Sequence, residues 1–365
     1  LNGIITYRLN YFISTFKGGL VKMTMYCLNI VRDMVSNDGL TKPRSDIAKI
    51  LRRDMIQSIS VPILNGKKEK FLFSWSRVSD VLNWLHEGDK LIINYPTDMG
   101  VLFDQILVRR LRRLNIKLIT LIHDIDALRF EQPFYKGISY ETRLLNYSDA
   151  IISPNKVMSE KLVNSGVKSN IVNLNLFDYL TDVDVAEKRV FFSKKVSFAG
   201  NLNKSEFIFD LLHKKTEYSF YGPIKKENKT LMKSYQGSYD SNVLIRKIDN
   251  GFGLIWDGES AEFIDATNIS SGSYLLYNNP YKLSFYIAAG IPVIIWRDAA
   301  AAQFVENNSI GLLVSSLDEV DLVLEKLGSS EYEQMQKNVR GIQKKVVKGY
   351  YTLRAVRLAE KSFMK

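Results

Sequence analysis

The sequence predicts an α/β protein built from two Rossmann-like, doubly wound domains with an interdomain cleft. Three observations predict it. Short apolar runs alternate with helix-length amphipathic stretches along most of the chain, the pattern of parallel strands covered by helices on both faces. The alternation breaks once, at Thr181–Lys195, where Asp182-Val183-Asp184 and Lys194-Lys195 make a polar interruption, and then resumes. At 365 residues the chain has room for two domains of ordinary size.

The first domain is expected over residues 23–180. Residues 1–22 are aromatic and basic, with neither a cleavage site nor a clear apolar core. They are expected to form an extension outside the fold, with an amphipathic surface anchor as the alternative. Strand Thr24–Val31 leads through the polar loop Ser36–Pro43 into a helix over about Ser45–Gln57. Strand Ser58–Leu64, a helix near Val78–His86, strand Lys90–Tyr95 and helix Leu102–Leu114 follow. Strand Lys117–His123, helix Tyr140–Asn146, strand Ala150–Ser153, helix Lys156–Ser165 and strand Asn170–Leu176 complete the half. Ligands of such sheets sit beyond the carboxyl ends of the strands, so the loops after Val31, Tyr95 and His123 are the expected working edge.

Residues 181–195 are expected to be the linker and residues 196–328 the second domain. Its expected elements are strand Val196–Ala199, helix Ser205–His213, strand Tyr218–Tyr221, a helix around Lys225–Lys233, a turn at Tyr235–Ser238 and strand Gly253–Trp256. Next comes the best-punctuated stretch of the chain. Asn279 suits an N-cap, Pro280 the first helical position and Gly290 a left-handed stop, and Ile291–Trp296 reads as a buried strand. Asp298 is expected to cap another helix, Gly311–Val314 to form a strand, and Ser316 with Glu319 to make a capping box. Residues 329–365 read as C-terminal helices that cross back to the first domain.

Composition narrows the function. A charged fraction of 24% and a hydrophobic fraction of 46% describe a soluble globular protein. No apolar run approaches the roughly 18 residues of a membrane span. The single cysteine, Cys27, excludes an internal disulfide and agrees with a cytoplasmic location. A net charge of +11 calls for anionic company. Nucleic acid is not expected, because no element interleaves basic residues with exposed aromatics. The run Arg109-Arg110-Leu111-Arg112-Arg113 reads as a solvated helix face, or as a basic face resting at the inner face of a membrane. His86 and His213 read as helix-face residues without a role.

The helix after Asn279 is apolar except for Lys282 and Ser284 in its first turn. Unpaired N–H groups and the partial positive charge of a first turn attract anions, and Lys282 and Ser284 add a cation and a hydroxyl. A diphosphate fits that chemistry. The alternative is an ordinary packed helix with a solvated lysine.

Four pieces occur in order, the last of them the start of that helix: Leu121–Arg129, Phe198–Ser205, Gly253–Gly258 and Asn278–Ser284. Together they resemble the bacterial glucosyltransferase 3 family and the β-1,6-galactofuranosyltransferase-like proteins grouped with it, over roughly Met23 to Leu327. The resemblance implies the GT-B fold, a UDP-sugar donor and, as in the best-known members, an acceptor N-acetylglucosamine on serine-rich adhesins and a tetrameric homo-oligomer. It places Asn279, Pro280, Tyr281, Lys282, Leu283 and Ser284 in the nucleotide-binding segment. Lys204, after the turn at Asn201, matches a basic position; lysine there supplies a point charge where arginine would supply a bidentate fork. Tyr235 matches an aromatic that contacts the nucleotide, by stacking on uracil, with simple core packing as the other reading, and Thr41 falls in the loop that reaches the ligand.

Catalytic chemistry is drawn from the residues. Asp124 and Asp126 end a buried strand at the expected edge and are the candidate bases, with loop capping as the other reading. Asp257 is a second cleft-facing carboxylate, suited to a sugar hydroxyl. Asp124-Ile125-Asp126 and Asp182-Val183-Asp184 both match D-x-D, but nothing flanking them demands a metal, and no metal or cofactor is expected. The expected function is hexosyl transfer from a UDP-sugar to a glycosylated surface protein or a lipid-linked glycan. A galactofuranosyl- or hexosyltransferase of capsule or exopolysaccharide synthesis is one alternative. A non-catalytic, nucleotide- or glycan-binding partner of another transferase is the other.

Overall fold

The computed structural model describes residues 15–16, 19–20, 23–32, 41–130, 137–225, 228, 233–258, 260–262, 264–265, 267–270 and 272–363. Two six-stranded parallel sheets, each covered by helices, give the expected two-domain α/β architecture. The first sheet contains β1 (Met25–Val31), β2 (Gln57–Pro62), β3 (Lys90–Tyr95), β4 (Lys117–Ile122), β5 (Ala150–Ser153) and β6 (Asn170–Asn173), in the spatial order β2-β1-β3-β4-β5-β6. Its helices are α1 (Thr41–Arg53), α2 (Gly66–Leu72), α3 (Ser74–Leu82), α4 (Val101–Arg113), α5 (Asp126–Arg129), α6 (Ile138–Leu145) and α7 (Lys156–Asn164).

Strand alternation separates two cores in this domain. Leu91, Ile93, Leu118 and Ile151 meet α3, α4, α6 and α7 on one face. Cys27, Ile92, Ile119 and Ile152 meet α1 and the C-terminal helices on the other. Ile92 and Ile119 are fully buried, and each such side chain contributes roughly 1.5–3 kcal/mol of transfer free energy.

The second sheet contains β7 (Phe191–Ala199), β8 (Tyr218–Tyr221), β9 (Tyr235–Gly237), β10 (Asn250–Ile255), β11 (Val293–Trp296) and β12 (Gly311–Val314), in the order β9-β8-β7-β10-β11-β12. Its helices are α8 (Ser241–Lys247), α9 (Tyr281–Ala289), α10 (Ala302–Asn307) and α11 (Val320–Lys326); α12 (Ser329–Val346) and α13 (Tyr350–Ser362) follow. Helix α13 packs on β5 and β6 of the first sheet. Two ion pairs tie it there, Lys90 to Glu360 at 2.6 Å and Arg357 to Asp54 at 3.2 Å. No helix among the described residues is long and apolar enough to cross a membrane.

Several expectations are corrected. Helix α1 begins at Thr41, four residues before the expected Ser45. The expected helix Ser205–His213 is a succession of 3-10 turns, Leu202–Lys204, Glu206–Ile208 and Asp210–His213. Tyr235–Gly237 is an edge strand paired in parallel with β8, not a turn. Strand β7 starts at Phe191 because Phe191 pairs with Asn250, so five residues assigned to the linker by composition belong to the sheet. Asp298 caps nothing, since α10 starts at Ala302. Glu319 accepts from the Ser315 N–H at 2.9 Å, and Ser316 makes no side-chain cap. Most of the expected helix 225–233 lies outside the described residues. So does most of the N-terminal extension, of which a short ribbon pairs Thr15–Phe16 with Gly19–Leu20.

Candidate functional site

Helix α9 is the joint of the molecule. Gly290 ends it at φ 79°, a left-handed conformation that only glycine adopts without strain. The Tyr286 hydroxyl donates to Ser197 O and accepts from Ala199 N–H, both at 2.8 Å, which fixes the helix beneath the carboxyl end of β7.

Its first turn serves two masters. One set of side chains holds the domains together. Asn279 is 5% exposed and donates to Pro154 O at 2.7 Å and Asn175 O at 3.0 Å, while its oxygen accepts from Asn155 Nδ2 at 2.9 Å. It therefore does not cap the helix; Pro280 occupies the N-cap position. Leaving those buried carbonyls unpaired costs more than leaving a helix end uncapped, which explains the difference. The Tyr281 hydroxyl donates to Asp46 at 2.6 Å and to Asp178 O at 3.2 Å, and its ring stacks on Tyr179 at 5.0 Å. Buried Asp46 also accepts from Lys42 at 2.7 Å and the Leu180 N–H at 2.9 Å, so the first turns of α1 and α9 are cross-linked. Thr41, the first residue of α1, is half-buried at this junction. Ser284 is 1% exposed and donates to Phe177 O at 2.7 Å. Leu283 is wholly in the core. The side chains of Asn279, Tyr281 and Ser284 thus face the first domain and its connecting chain.

Lys282 points to the second sheet. Its Nζ contacts the Asp257 carboxylate, donates to Trp256 O at 3.2 Å, and lies 4.7 Å from the centre of the Phe198 ring. Trp256 and Asp257 follow β10, and Phe198 is near the end of β7. Between those two neighbours the strand order reverses, since the chain moves outward from β7 through β8 to β9 and then returns to start β10. Ligands of open α/β sheets bind at such a switch point. Here the floor is glycine. A Cβ on Gly222, at φ +133°, would lie 1.8 Å from Gly200 O, so the loops after β7 and β8 touch backbone to backbone. The first of these loops carries exposed Asn201 and Lys204; the Asn201 side chain accepts from the Asn203 N–H at 3.1 Å. The half-buried Tyr235 leans over the second, its hydroxyl donating to Gly222 O at 3.2 Å. Asn201, Lys204, Tyr235, Asp257 and Lys282 therefore belong to one edge.

The first sheet has its own switch point, between β1 and β3, and sequence reading missed its occupants. Asp98 accepts from Arg32 at 2.5 Å and Arg44 at 2.6 Å. The signal available was position: Arg32 and Asp98 lie just past two strand ends. Next along the edge, His123 bonds Asn94 at 2.9 Å and stacks on Phe177 at 5.3 Å. Burial, with the nearby Arg44 cation, holds its pKa well below the ordinary range, so the ring is neutral. Asp124 accepts from Arg129 at 2.8 Å. Asp126 opens α5 with its pKa raised to about 6, by burial first and by Asp124 second. Beneath it, fully buried Glu141 accepts from the N–H groups of Asp126 at 3.2 Å and Ala127 at 2.8 Å and from the Tyr95 hydroxyl at 2.9 Å. Glu141 therefore caps α5, leaving the Asp126 carboxylate itself outside that role. In the other D-x-D, Asp182 accepts from Asn242 at 3.1 Å and Asp184 from the Ala186 N–H at 3.1 Å. Among the described residues no three His, Cys, Asp or Glu side chains gather as metal ligands would.

Two Rossmann-like domains, each with charged residues at the switch point of its sheet, make the two-domain architecture of the GT-B fold. Solved structures share the fold. An α-glucosyltransferase in complex with UDP aligns with a TM-score of 0.56 at 12% identity, covering 93% of this chain and 100% of that one. Sucrose-phosphate synthase of Thermosynechococcus elongatus aligns at 0.59 and 10%, covering 94% and 99%. Residues 25–176 match the N-terminal domain, and residues 196–359 the C-terminal domain, described as glucosyltransferase 3-like. The β-1,6-galactofuranosyltransferase WbbI of Escherichia coli K12 is 32% identical over 90% of this chain and 96% of its own length. Glucosyltransferase 3 of Streptococcus gordonii is 28% identical over 76% and 80%. The chain belongs to the glucosyltransferase 3-like family.

Proposed function

We propose that the protein transfers a hexosyl group from a UDP-sugar to a hydroxyl of a glycan acceptor. The observation that carries the reading is Lys282, a cation delivered by α9 to the glycine-floored switch point of the second sheet. The diphosphate of the donor takes the Asp257 carboxylate's place on Lys282, with Lys204 as a second cation. The bond from the anomeric carbon to the diphosphate then breaks with its charge met by fixed cations and dipoles. The acceptor oxygen forms the new bond to that carbon and gives its proton to Asp126. Asp257, once displaced, is placed to hold a sugar hydroxyl. Tyr235 supplies a ring at the edge where the base would lie.

The relatives divide between a galactofuranosyltransferase and glucosyltransferases, so the donor panel is UDP-galactofuranose, UDP-galactose and UDP-glucose. UDP release with each donor, with and without a glycan acceptor, tests the reading; acceptor-stimulated release from none of them would refute it. We further propose that no metal takes part, so that EDTA leaves the rate unchanged, and that the working unit is a homo-oligomer, which sedimentation velocity measures.

A further inference from the structure

Helix α2 has no buried residue. Its seven residues carry Lys67, Lys68 and Lys70, and the chain then presents Phe71, Leu72, Phe73 and Trp75 at 72%, 65%, 49% and 57% exposure. Scattered exposed apolar residues are ordinary, but four large ones within five positions are a patch that something must cover. The patch is anchored near the start of α4, where a Cβ on Gly100 would lie 3.1 Å from the Lys70 side chain.

The same helix layer continues in kind. Helices α3, α4 and α6 share one core on the face of the first sheet turned away from α1 and α13. At the far end of α4 an open basin of about 580 Å³ is lined by Arg109, Arg112, Arg113 and Tyr147. Arg112 lies 5.5 Å over the Tyr147 ring, and Trp84 and Leu114 are exposed at 57% and 42%. Of the acidic side chains beside these groups, Asp80 pairs with Arg77, while Glu69 and Glu87 accept from the Asn65 N–H and the Asn115 amide and keep their charge.

We propose that this layer docks the protein on the surface of an anionic lipid bilayer. Aromatic rings favour the boundary between headgroups and acyl chains, and lysines beside them reach the phosphates. The arginine basin adds cations at the far end of α4, within reach of the bilayer's negative potential when α4 lies along the surface. Charge complementarity decides the occupant. A second copy meeting this patch about a twofold axis would bring a second set of the same lysines to one interface. A bilayer carrying anionic lipid has no such cost. The docking is independent of the transfer reaction.

Co-sedimentation of the full chain with phosphatidylcholine vesicles, with and without phosphatidylglycerol, tests this. Binding is expected with phosphatidylglycerol and is expected to weaken as salt rises. The exposed-site variant Phe71→Ser/Leu72→Ser/Trp75→Ser should lose roughly tenfold or more of the partition. Reversing Lys67 and Lys68 to Glu should cost about fivefold for each charge. Circular dichroism should show both variants as folded as the parent. No binding by the parent would overturn the proposal, as would full binding by the serine variant, which would place the lipid contact elsewhere. A serine variant that changed only the sedimenting mass would assign the patch to a second copy. One that lost only turnover on a soluble acceptor would assign it to the acceptor, and either result overturns the lipid assignment.

Discussion

Lys282 and Asp257 form an ion pair across the switch point of the second sheet, joining the first turn of α9 to the end of β10. The cation that would meet a diphosphate is thus already engaged. Binding has to exchange one carboxylate for another anion. Asp257→Asn keeps the shape and removes the competing charge. At a pair exposed to this degree the gain is about 1 kcal/mol, or about fivefold tighter UDP. Turnover should fall in the same variant if the displaced carboxylate holds the sugar. Calorimetry with UDP reads the first effect, and weaker binding would count against the exchange.

Asp126, with its pKa raised to about 6, is the proposed base, and a base works when deprotonated. The rate kcat/KM should therefore rise with pH through about 6 and level off above it. Asp126→Asn should lower the rate by about 10²–10⁴ and remove that rise. A variant with nearly full activity and the same profile would leave Asp126 a structural residue.

Glu141 is held neutral to about pH 7 by burial, against an ordinary value of 4.5. The folded state then binds a proton that the unfolded chain has released. Its contribution is complete below pH 4.5 and is lost as pH rises through about 7. Asp104, raised by burial to about 7, acts in the same sense. His123, held neutral, acts in the opposite sense, losing stability as pH falls below its ordinary 6.5. Comparison with Glu141→Gln isolates the first of these: the urea midpoint of the variant should fall less between pH 4.5 and 7 than that of the parent. The difference is on the order of 1–3 kcal/mol. Equal slopes would mean that Glu141 is ionised throughout.

Asn279→Ala should destabilise the protein by about 2 kcal/mol or more, because the carbonyls of Pro154 and Asn175 lose their buried donor. Urea denaturation checks it. A loss under about 0.5 kcal/mol would mean that water replaces the amide without cost.

What was legible in the sequence follows from where the information lies. Lys90–Tyr95, Ala150–Ser153 and Tyr218–Tyr221 were placed to the residue because interior parallel strands read as bounded apolar runs, and the edge strand Gly311–Val314 was placed because it is a short apolar run opened by glycine. Gly290 announced the end of α9 through its backbone alone. Helix α2 was invisible because, with nothing buried, it has no apolar period. Phe191–Lys195 looked like a linker because its charged side chains face out while its backbone pairs with β10. The site divides in the same way. Lys282 was found because a lysine in a first turn carries its chemistry locally. The partners that claim Asn279, Tyr281 and Ser284 are Asn155, Asp46 and Phe177, each more than 100 residues away. No local pattern records a contact at that separation, and the shorter separations of 66 and 54 residues hid the pairs of Asp98 with Arg32 and Arg44 in the same way.

The central claim is that Lys282 receives the donor diphosphate. Calorimetric titration of the protein with UDP, beside Lys282→Ala, tests it most directly. The account predicts measurable binding by the parent and a loss of at least roughly tenfold in the variant, the worth of one charge-assisted hydrogen bond, with an unchanged circular dichroism spectrum. Equal affinity in the two proteins would contradict it.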